Sequence, residues 1–261
     1  MPEDEQEEGG PAPPRGPGFR ALLRDSWALF SGHITTLLAL FFPAFLALSL
    51  IQAAILIPLA ESSSSDFVGG FIQVGVFFVL GGIVGSFVVA LAALIADRER
   101  TGEPATIGGA WNSVRPLSRE VLGAGFLAAV LAMAISFVGL QQLLRPVFFG
   151  PPVIVHAIAL EGLPLAGAWP RAKALLKGNW GRALLYLAVI SLAMGLVQAL
   201  VSTGILEALG DLSDDAVDFV IFGPVRGLLD GIMLPFLAVA MYVLYRQLEA
   251  DGAGEPAPPT D

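Results

Sequence analysis

The sequence predicts an all-α membrane protein: a polytopic bundle of six transmembrane helices in three pairs, with a cytoplasmic amphipathic interfacial helix before each pair. The first observation is composition, since 55% of the 261 residues are hydrophobic and only 14% are charged, against about 25% charged in soluble domains. The second is length, because several apolar runs exceed the roughly 20 residues that cross a bilayer as a helix. The third is a basic amphipathic pattern that recurs along the chain.

Both ends of the chain are predicted to be disordered. Residues 1–17 combine acidic residues with proline and glycine and cannot bury enough apolar surface to order themselves, and residues 250–261 are similar. The N-terminal tail lacks the basic stretch of a cleaved signal peptide, so we expect the first apolar run to remain as an anchor. Residues 18–249 are expected to form the six-helix integral membrane domain.

The amphipathic pattern is clearest from Leu165 to Lys177. Its apolar residues follow the i, i+3, i+4, i+7 spacing of one helical face: Leu165, Ala168, Trp169, Ala172, Leu175 and Leu176. Lysine and arginine flank or oppose that face. A helix with a Trp/Leu face bordered by cations lies in the plane of a bilayer surface, with its cations reaching toward lipid phosphates.

Two earlier stretches repeat this segment. When Phe19 is aligned with Leu165, the pair Leu29-Phe30 aligns with Leu175-Leu176. When Ile107 is aligned with Leu165, the pair Ala110-Trp111 aligns with Ala168-Trp169. Each copy precedes two apolar runs. This self-similarity predicts a unit of one interfacial helix and two spans, present three times.

The six apolar runs define the predicted spans. They are Ile34 to Ala60, Phe67 to Ala96, Val121 to about Gly139, about Leu140 to Leu160, Ala183 to Leu206, and Phe219 to Tyr245. The fourth run is interrupted by the stretch RPVFFGPP from Arg145 to Pro152. Because proline removes backbone donors, a regular helix is limited there to the last two or three turns before Glu161.

The loops predict the orientation. Twelve of the fourteen lysines and arginines fall on one side, and only Arg145 and Arg226 fall opposite. The loops Glu61–Asp66 and Glu207–Asp218, on the other side, contain no lysine or arginine. Since cytoplasmic loops carry the excess of basic residues, both termini and all three amphipathic helices are predicted to be cytoplasmic.

The segment ALEGLPLAGAWPRAKALLKGNW resembles a known pattern: a Glu-Gly pair, an amphipathic segment with Arg and Lys-Gly, then Trp or Phe opening the next span. The residues that carry the resemblance are Glu161, Gly162, Ala168, Arg171, Leu175, Lys177, Gly178 and Trp180. The stretch Tyr245–Glu249 resembles the close of the same pattern. Pro170 and Ala172 depart from it, since Pro170 interrupts the segment and serine is common at the position of Ala172.

On these motifs, residues 18–249 resemble the six-span bacterial membrane domain that occurs alone or fused to glycerophosphoryl diester phosphodiesterase catalytic domains. The resemblance implies a multi-pass protein of the bacterial inner (plasma) membrane, without an established activity for the domain alone. A phosphodiesterase barrel of about 250 residues does not fit in the remaining chain.

Residues suited to catalysis or metal binding are scarce. There is no cysteine, there are two histidines, and no HExxH, GxSxG or P-loop motif occurs. We therefore predict that the chain is not an enzyme and has no metal site or cofactor. A net charge of −9 gives no indication of nucleic-acid binding.

Polar residues inside the predicted spans are the candidates for an intramembrane role: Arg145, His156, Arg226 and Asp230. Arg226 and Asp230 are spaced i, i+4, so they either neutralise each other or line a substrate or proton path. His156 is either a packing histidine or a proton-coupled one. Small residues in the second span, Gly81, Gly82, Gly85 and Ser86, predict close helix packing.

Two functions remain open from the sequence. The first is a non-enzymatic membrane module that organises anionic lipid headgroups, or a membrane or catalytic partner protein, at the cytoplasmic face. Its candidate lipid-facing basic residues are Arg20, Arg24, Arg115, Arg119, Arg171, Lys173, Lys177 and Arg182. The alternative is a transporter or lipid-moving protein whose path runs between the repeated helix pairs and past Arg226 and Asp230.

Overall fold

The computed structural model describes residues 18–62, 67–136, 150–208 and 224–252. Every regular element in these ranges is helical, which confirms the predicted all-α class. In chain order they are α1 (Phe19–Gly32), α2 (Ile34–Ser62), α3 (Phe67–Thr101), α4 (Ile107–Val114) continued by a 3₁₀ turn (Arg115–Leu117), α5 (Ser118–Ser136), α6 (Gly150–Glu161), α7 (Leu165–Leu176), α8 (Trp180–Ala208) and α9 (Arg226–Gly252).

Four of the described helices are long and apolar enough to cross a membrane. The qualifying segments are Ile34–Ile55 of α2, Phe78–Thr101 of α3, Trp180–Ile205 of α8 and Arg226–Asp251 of α9. Each contains 22 to 26 residues, which at 1.5 Å per residue is enough for a hydrocarbon core of about 30 Å. Their length and composition fit a multi-pass membrane protein.

The third and fourth predicted spans correspond to shorter described helices. α5 has 19 residues and begins with polar Ser-Arg-Glu. α6 has 12 residues, about the three turns that were predicted before Glu161. α6 and α7 meet at a bend of 115°, and the pair gives a fifth crossing if it is counted as one broken span. Arg145 and most of the interrupting stretch lie outside the described residues.

The three predicted interfacial segments coincide with the short helices α1, α4 and α7. Each of them buries one strip of side chains: Leu22, Ser26 and Phe30 in α1, Ala110 and Val114 in α4, and Ala168, Ala172, Leu175 and Leu176 in α7. Most of these residues join one buried cluster with α6 and with the C-terminal halves of α3 and α9. The short helices therefore pack against the same end of the bundle.

Glycine allows two pairs of long helices to approach closely. α3 packs along α5, where a Cβ atom at Gly82 would lie 2.5 Å from the carbonyl oxygen of Gly125. α9 packs along α2, where a Cβ atom at Gly227 would lie 2.7 Å from the Cα of Leu46. At Gly85 an added Cβ would meet no atom within 4 Å. The small-residue surface of the second span therefore makes its close contact through Gly82.

Candidate functional site

Ionisable side chains from many helices gather at one end of the bundle, which we call the basic end. It consists of α1, α4 and α7, the C-terminal turns of α3, α6 and α9, and the first turns of α5 and α8. Three contacts tie these elements together: Asp97 with Arg246, the Glu120 carboxylate with the backbone N–H of Leu165 at 2.7 Å, and Arg182 with Asp251. The basic end is therefore held together by polar contacts as well as by apolar packing.

Glu161, the last residue of α6, is the centre of a polar cluster in this region. The Nε atom of Arg171 donates to both of its carboxylate oxygens, at 2.9 and 3.0 Å. The hydroxyl of Tyr245, a fully buried residue, donates to the Oε1 oxygen. Arg171 also lies 3.9 Å from a carboxylate oxygen of Glu249. These four residues, the Glu161 cluster, join α6 and α7 to α9.

A chain reversal after α6 brings Arg171 back to Glu161. Gly162 has a φ of +68°, a left-handed conformation that glycine adopts without a Cβ penalty. Its N–H bonds the carbonyl oxygen of Ile158 at 3.0 Å and so caps α6. The next helix then leaves at 115° and presents Arg171 to the helix end it has just passed. In the Glu161-Gly162 pair, Gly162 forms the turn and the Glu161 carboxylate accepts the hydrogen bonds from Arg171.

A second group of polar side chains adjoins the first through Glu249. Arg246 pairs with Asp97 and donates from Nη1 to Glu249 at 2.6 Å. The Tyr242 hydroxyl donates to Asp97 at 2.9 Å, and the Arg246 guanidinium lies 5.8 Å from the centre of the Tyr242 ring. Asp97 thus receives two donors from α9. These contacts fasten the C-terminal turns of α3 to those of α9.

His156 is completely buried next to the Glu161 cluster. Its Nδ1 atom lies 2.6 Å from the carbonyl oxygen of Pro152, and because a carbonyl can only accept, Nδ1 carries the proton. Its ring stacks on Tyr245, with ring centroids 5.6 Å apart. Its Nε2 atom is buried and has no hydrogen-bond partner among the described residues.

The eight basic residues predicted to face lipid divide into two groups. Arg171 and Arg182 make ion pairs within the protein, with Glu161 and Asp251. The other six are exposed on or beside the short helices: Arg20, Arg24, Arg115, Arg119, Lys173 and Lys177. Unlike Arg171 and Arg182, these six can contact other molecules without first breaking a contact between helices.

Arg226 and Asp230 lie in the first turns of α9. The Nε atom of Arg226 is 3.5 Å from a carboxylate oxygen of Asp230, and both side chains are mostly buried. The predicted i, i+4 pairing is therefore present. No group of three or more metal-binding side chains occurs among the residues that the structure describes.

Four carboxylates of the basic end that contact another element were not indicated by the sequence patterns: Asp97, Glu99, Glu120 and Asp251. Each lies near an end of an apolar run, on the side where the cations are concentrated. Their position among cations at helix ends could have indicated them, because an acidic residue there can pair with a cation of another helix.

Comparisons of the chain with protein-family models, with curated protein sequences and with solved structures found no match. We therefore infer function from the geometry of the basic end and from the membrane-length helices.

Proposed function

We propose that this protein is a non-enzymatic integral membrane module of the bacterial inner membrane. Its basic end organises anionic lipid, and through that lipid a partner protein, at the cytoplasmic face. The proposal includes the six-span topology in three pairs and the relation to the membrane domain of glycerophosphoryl diester phosphodiesterases. The residues on which that proposed relation rests include Glu161, Arg171, Tyr245 and Glu249, which are far apart in sequence and meet in one cluster.

The position of the tryptophans is the observation that carries the proposal. All four tryptophans of the chain lie at the basic end, on α1, α4, α7 and the first residue of α8. Their exposed fractions are 60% for Trp27, 46% for Trp111, 51% for Trp169 and 46% for Trp180. Tryptophan concentrates at the level of lipid headgroups, where its ring is apolar and its N–H finds a partner. Four exposed tryptophans at this end of the bundle indicate a membrane interface there.

Exposed cations surround these tryptophans. Six of the exposed cations lie on or beside the short helices: Arg20, Arg24, Arg115, Arg119, Lys173 and Lys177. Each lysine or arginine near an anionic bilayer surface contributes about 1 kcal/mol. Six of them at this end of the bundle would enrich anionic lipid around the protein. The same excess of cations supports the cytoplasmic placement of this end.

Burial in the short helices supports the proposed amphipathic repeat. In the alignment of the three copies, Leu22, Ala110 and Ala168 share one position, and all three are buried. One turn later, Ser26 and Val114 align with Ala172, and these are buried as well. The helices thus use equivalent faces for packing, which leaves equivalent faces for lipid.

The experiment is a measurement of the lipid that accompanies the full chain. Wild type and a variant with these six cations changed to glutamine are extracted in polymer nanodiscs, and the bound lipid is quantified. We expect the anionic fraction around wild type to exceed that of the whole membrane, and the glutamine variant to lose this excess. A matched control exchanges arginine and lysine at the same six positions and should keep it. An unchanged excess in the glutamine variant would remove the proposal.

The transporter alternative is favoured by an apolar cavity of about 260 Å³ between α2, α3, α5, α6 and α9. Leu234 lines it one turn after Asp230. A path past Arg226 and Asp230 would need a polar lining, however, and nearly all the residues around this cavity are apolar. Arg226 and Asp230 also already form an ion pair, with 3.5 Å between the Arg226 Nε and the Asp230 carboxylate oxygen. The membrane module is therefore the better-supported function.

A further inference from the structure

A cleft opens at the basic end between α1, the end of α3 and the last turns of α9. It has a volume of about 370 Å³ and is lined by Asp25, Leu29, Arg100, Tyr242, Val243, Arg246, Gln247 and Ala250. Small-molecule sites in proteins begin at about 300 Å³. The cleft is thus large enough for one polar group of that size, with Leu29 and Val243 supplying apolar wall.

One part of the cleft lining is cationic. Arg100 is exposed and has no ion-pair partner among the described residues. The two terminal nitrogens of Arg246 donate to Asp97 and Glu249, and its Nε is buried without an acceptor within the described ranges. The Arg246 side chain is still 23% exposed, and each terminal nitrogen has a second hydrogen. Arg100 and the terminal nitrogens of Arg246 can therefore bind an anion, and guanidinium matches the oxygens of a phosphate.

Another part of the lining offers acceptors. The Asp25 carboxylate is half-exposed and accepts one hydrogen bond, from the Nε of the adjacent Arg24 at 3.1 Å, so it can accept further donors. The side chain of Gln247 is more than nine-tenths buried, and its Oε1 atom has no donor in the part of the chain that the structure describes. A buried carbonyl oxygen without a donor costs free energy, and the terminal torsion of glutamine turns easily. A donor in the cleft would satisfy this oxygen.

We propose that the cleft binds the headgroup of a phospholipid whose phosphodiester carries a terminal hydrogen-bond donor. The phosphate lies between Arg100 and Arg246, and the ammonium of ethanolamine or the hydroxyls of glycerol donate to Gln247 and Asp25. This inference rests on the proposed function in one respect, namely that the basic end lies at a membrane surface. It adds a defined site and a headgroup preference to a surface that otherwise attracts lipid by charge alone.

The choice between headgroups follows from their hydrogen-bonding groups. Phosphatidylethanolamine and phosphatidylglycerol both have a donor beyond the phosphate. Phosphatidylcholine has the same phosphate, but its quaternary ammonium has no hydrogen to donate. One hydrogen bond in a partly buried site changes affinity by about fivefold. The cleft should therefore favour the first two lipids over phosphatidylcholine by about that factor.

The test is native mass spectrometry of the full chain in detergent, with dioleoyl phosphatidylethanolamine, phosphatidylglycerol or phosphatidylcholine added stepwise. For the first bound lipid we expect about a fivefold preference for ethanolamine and glycerol over choline. Gln247→Met, which keeps the side-chain volume, should abolish this preference. Arg100→Gln, an exposed change that does not endanger folding, should weaken all three lipids by about fivefold. Glu103→Gln, which also changes one exposed charge to glutamine but lies outside the cleft lining, is the control and should not weaken the first lipid.

Several results would overturn the site. They are equal binding of the three lipids by wild type, an unchanged preference in Gln247→Met, an equal loss of affinity in Arg100→Gln and Glu103→Gln, or displacement of the lipid by inorganic phosphate at the same concentration. If the wild type shows no headgroup preference but the six-cation variant still loses its anionic lipid, the cleft is not a lipid site and the proposed function stands. If the wild type shows the headgroup preference but the six-cation variant keeps its anionic lipid, the cleft site stands and the proposed function is wrong.

Discussion

At the scale of single residues, the Glu161 carboxylate decides how the basic end is assembled. A carboxylate partly removed from water is stable only if donors satisfy its oxygens. Arg171 supplies one donor from the following helix, and Tyr245 supplies another from the end of the last helix. Tyr245 is fully buried, so water cannot replace its hydroxyl if that group is removed. The contact is therefore expected to contribute to stability more than an exposed ion pair would.

We predict that Tyr245→Phe lowers the free energy of unfolding by about 1.5 to 3 kcal/mol, the range for a hydrogen bond to a charged group. Thermal or denaturant unfolding of the purified protein measures this loss. The control is the same change in a Glu161→Gln background, where the cost should be clearly smaller because the charged acceptor is gone. If the two changes add independently, the Tyr245 hydroxyl does not act on Glu161.

At the scale of helices, close packing is set by where glycine meets backbone. Gly82 of α3 and Gly125 of α5 face each other so closely that neither site has room for a methyl group. Gly85, less than one turn further along the same helix, has open space around it. Hydrophobic burial does not drive helices together inside a bilayer, so this contact depends on close van der Waals fit.

We predict that Gly82→Ala destabilises the protein by about 1 to 3 kcal/mol, the usual cost of overpacking. The backbone of Gly125 cannot move aside without shifting α5 as a whole. Gly85→Ala is the matched control and should be neutral or slightly stabilising, since alanine favours a helix over glycine and meets nothing here. Unfolding in mixed detergent compares the two variants. Equal effects at both positions would show that α3 and α5 are less closely packed than described.

At the scale of the whole molecule, the distribution of charge and tryptophan distinguishes the two ends of the bundle. Cations, tryptophans and the three short helices share one end. This asymmetry predicts a single orientation with that end in the cytoplasm. The chain contains no cysteine, so one introduced cysteine at a time reports its side of the membrane without background.

We predict that an impermeant thiol reagent added to intact cells labels Ser63→Cys and Ser213→Cys, which lie in the two loops without lysine or arginine. Asn112→Cys, at an exposed position of α4, should react only after the membrane is opened. Asn112 is preferred to its neighbour Ser113, because Ser113 receives a hydrogen bond from Arg98. Labelling of Asn112→Cys from outside, with Ser63→Cys protected, would reverse the orientation.

The sequence by itself determined the helical class, the apolar helices of membrane length and the three short segments that precede them. These properties are local, because run length and the 3.6-residue period are read within one helix at a time. The helix before Glu161 was predicted for the same reason, since the prolines upstream limit it directly. The i, i+4 pair of Arg226 and Asp230 was likewise visible from spacing alone.

Only the tertiary structure decided which charged residues pair within the protein and which face outward. Arg171 and Lys173 stand two positions apart on one helix and look equivalent in sequence, yet one contacts Glu161 and the other is exposed. The difference depends on how α7 turns back at Gly162 and on where α9 places Tyr245. The cleft residues likewise come from three helices far apart in the chain. Contacts of this kind are set by packing between helices, which no periodicity within a single helix records.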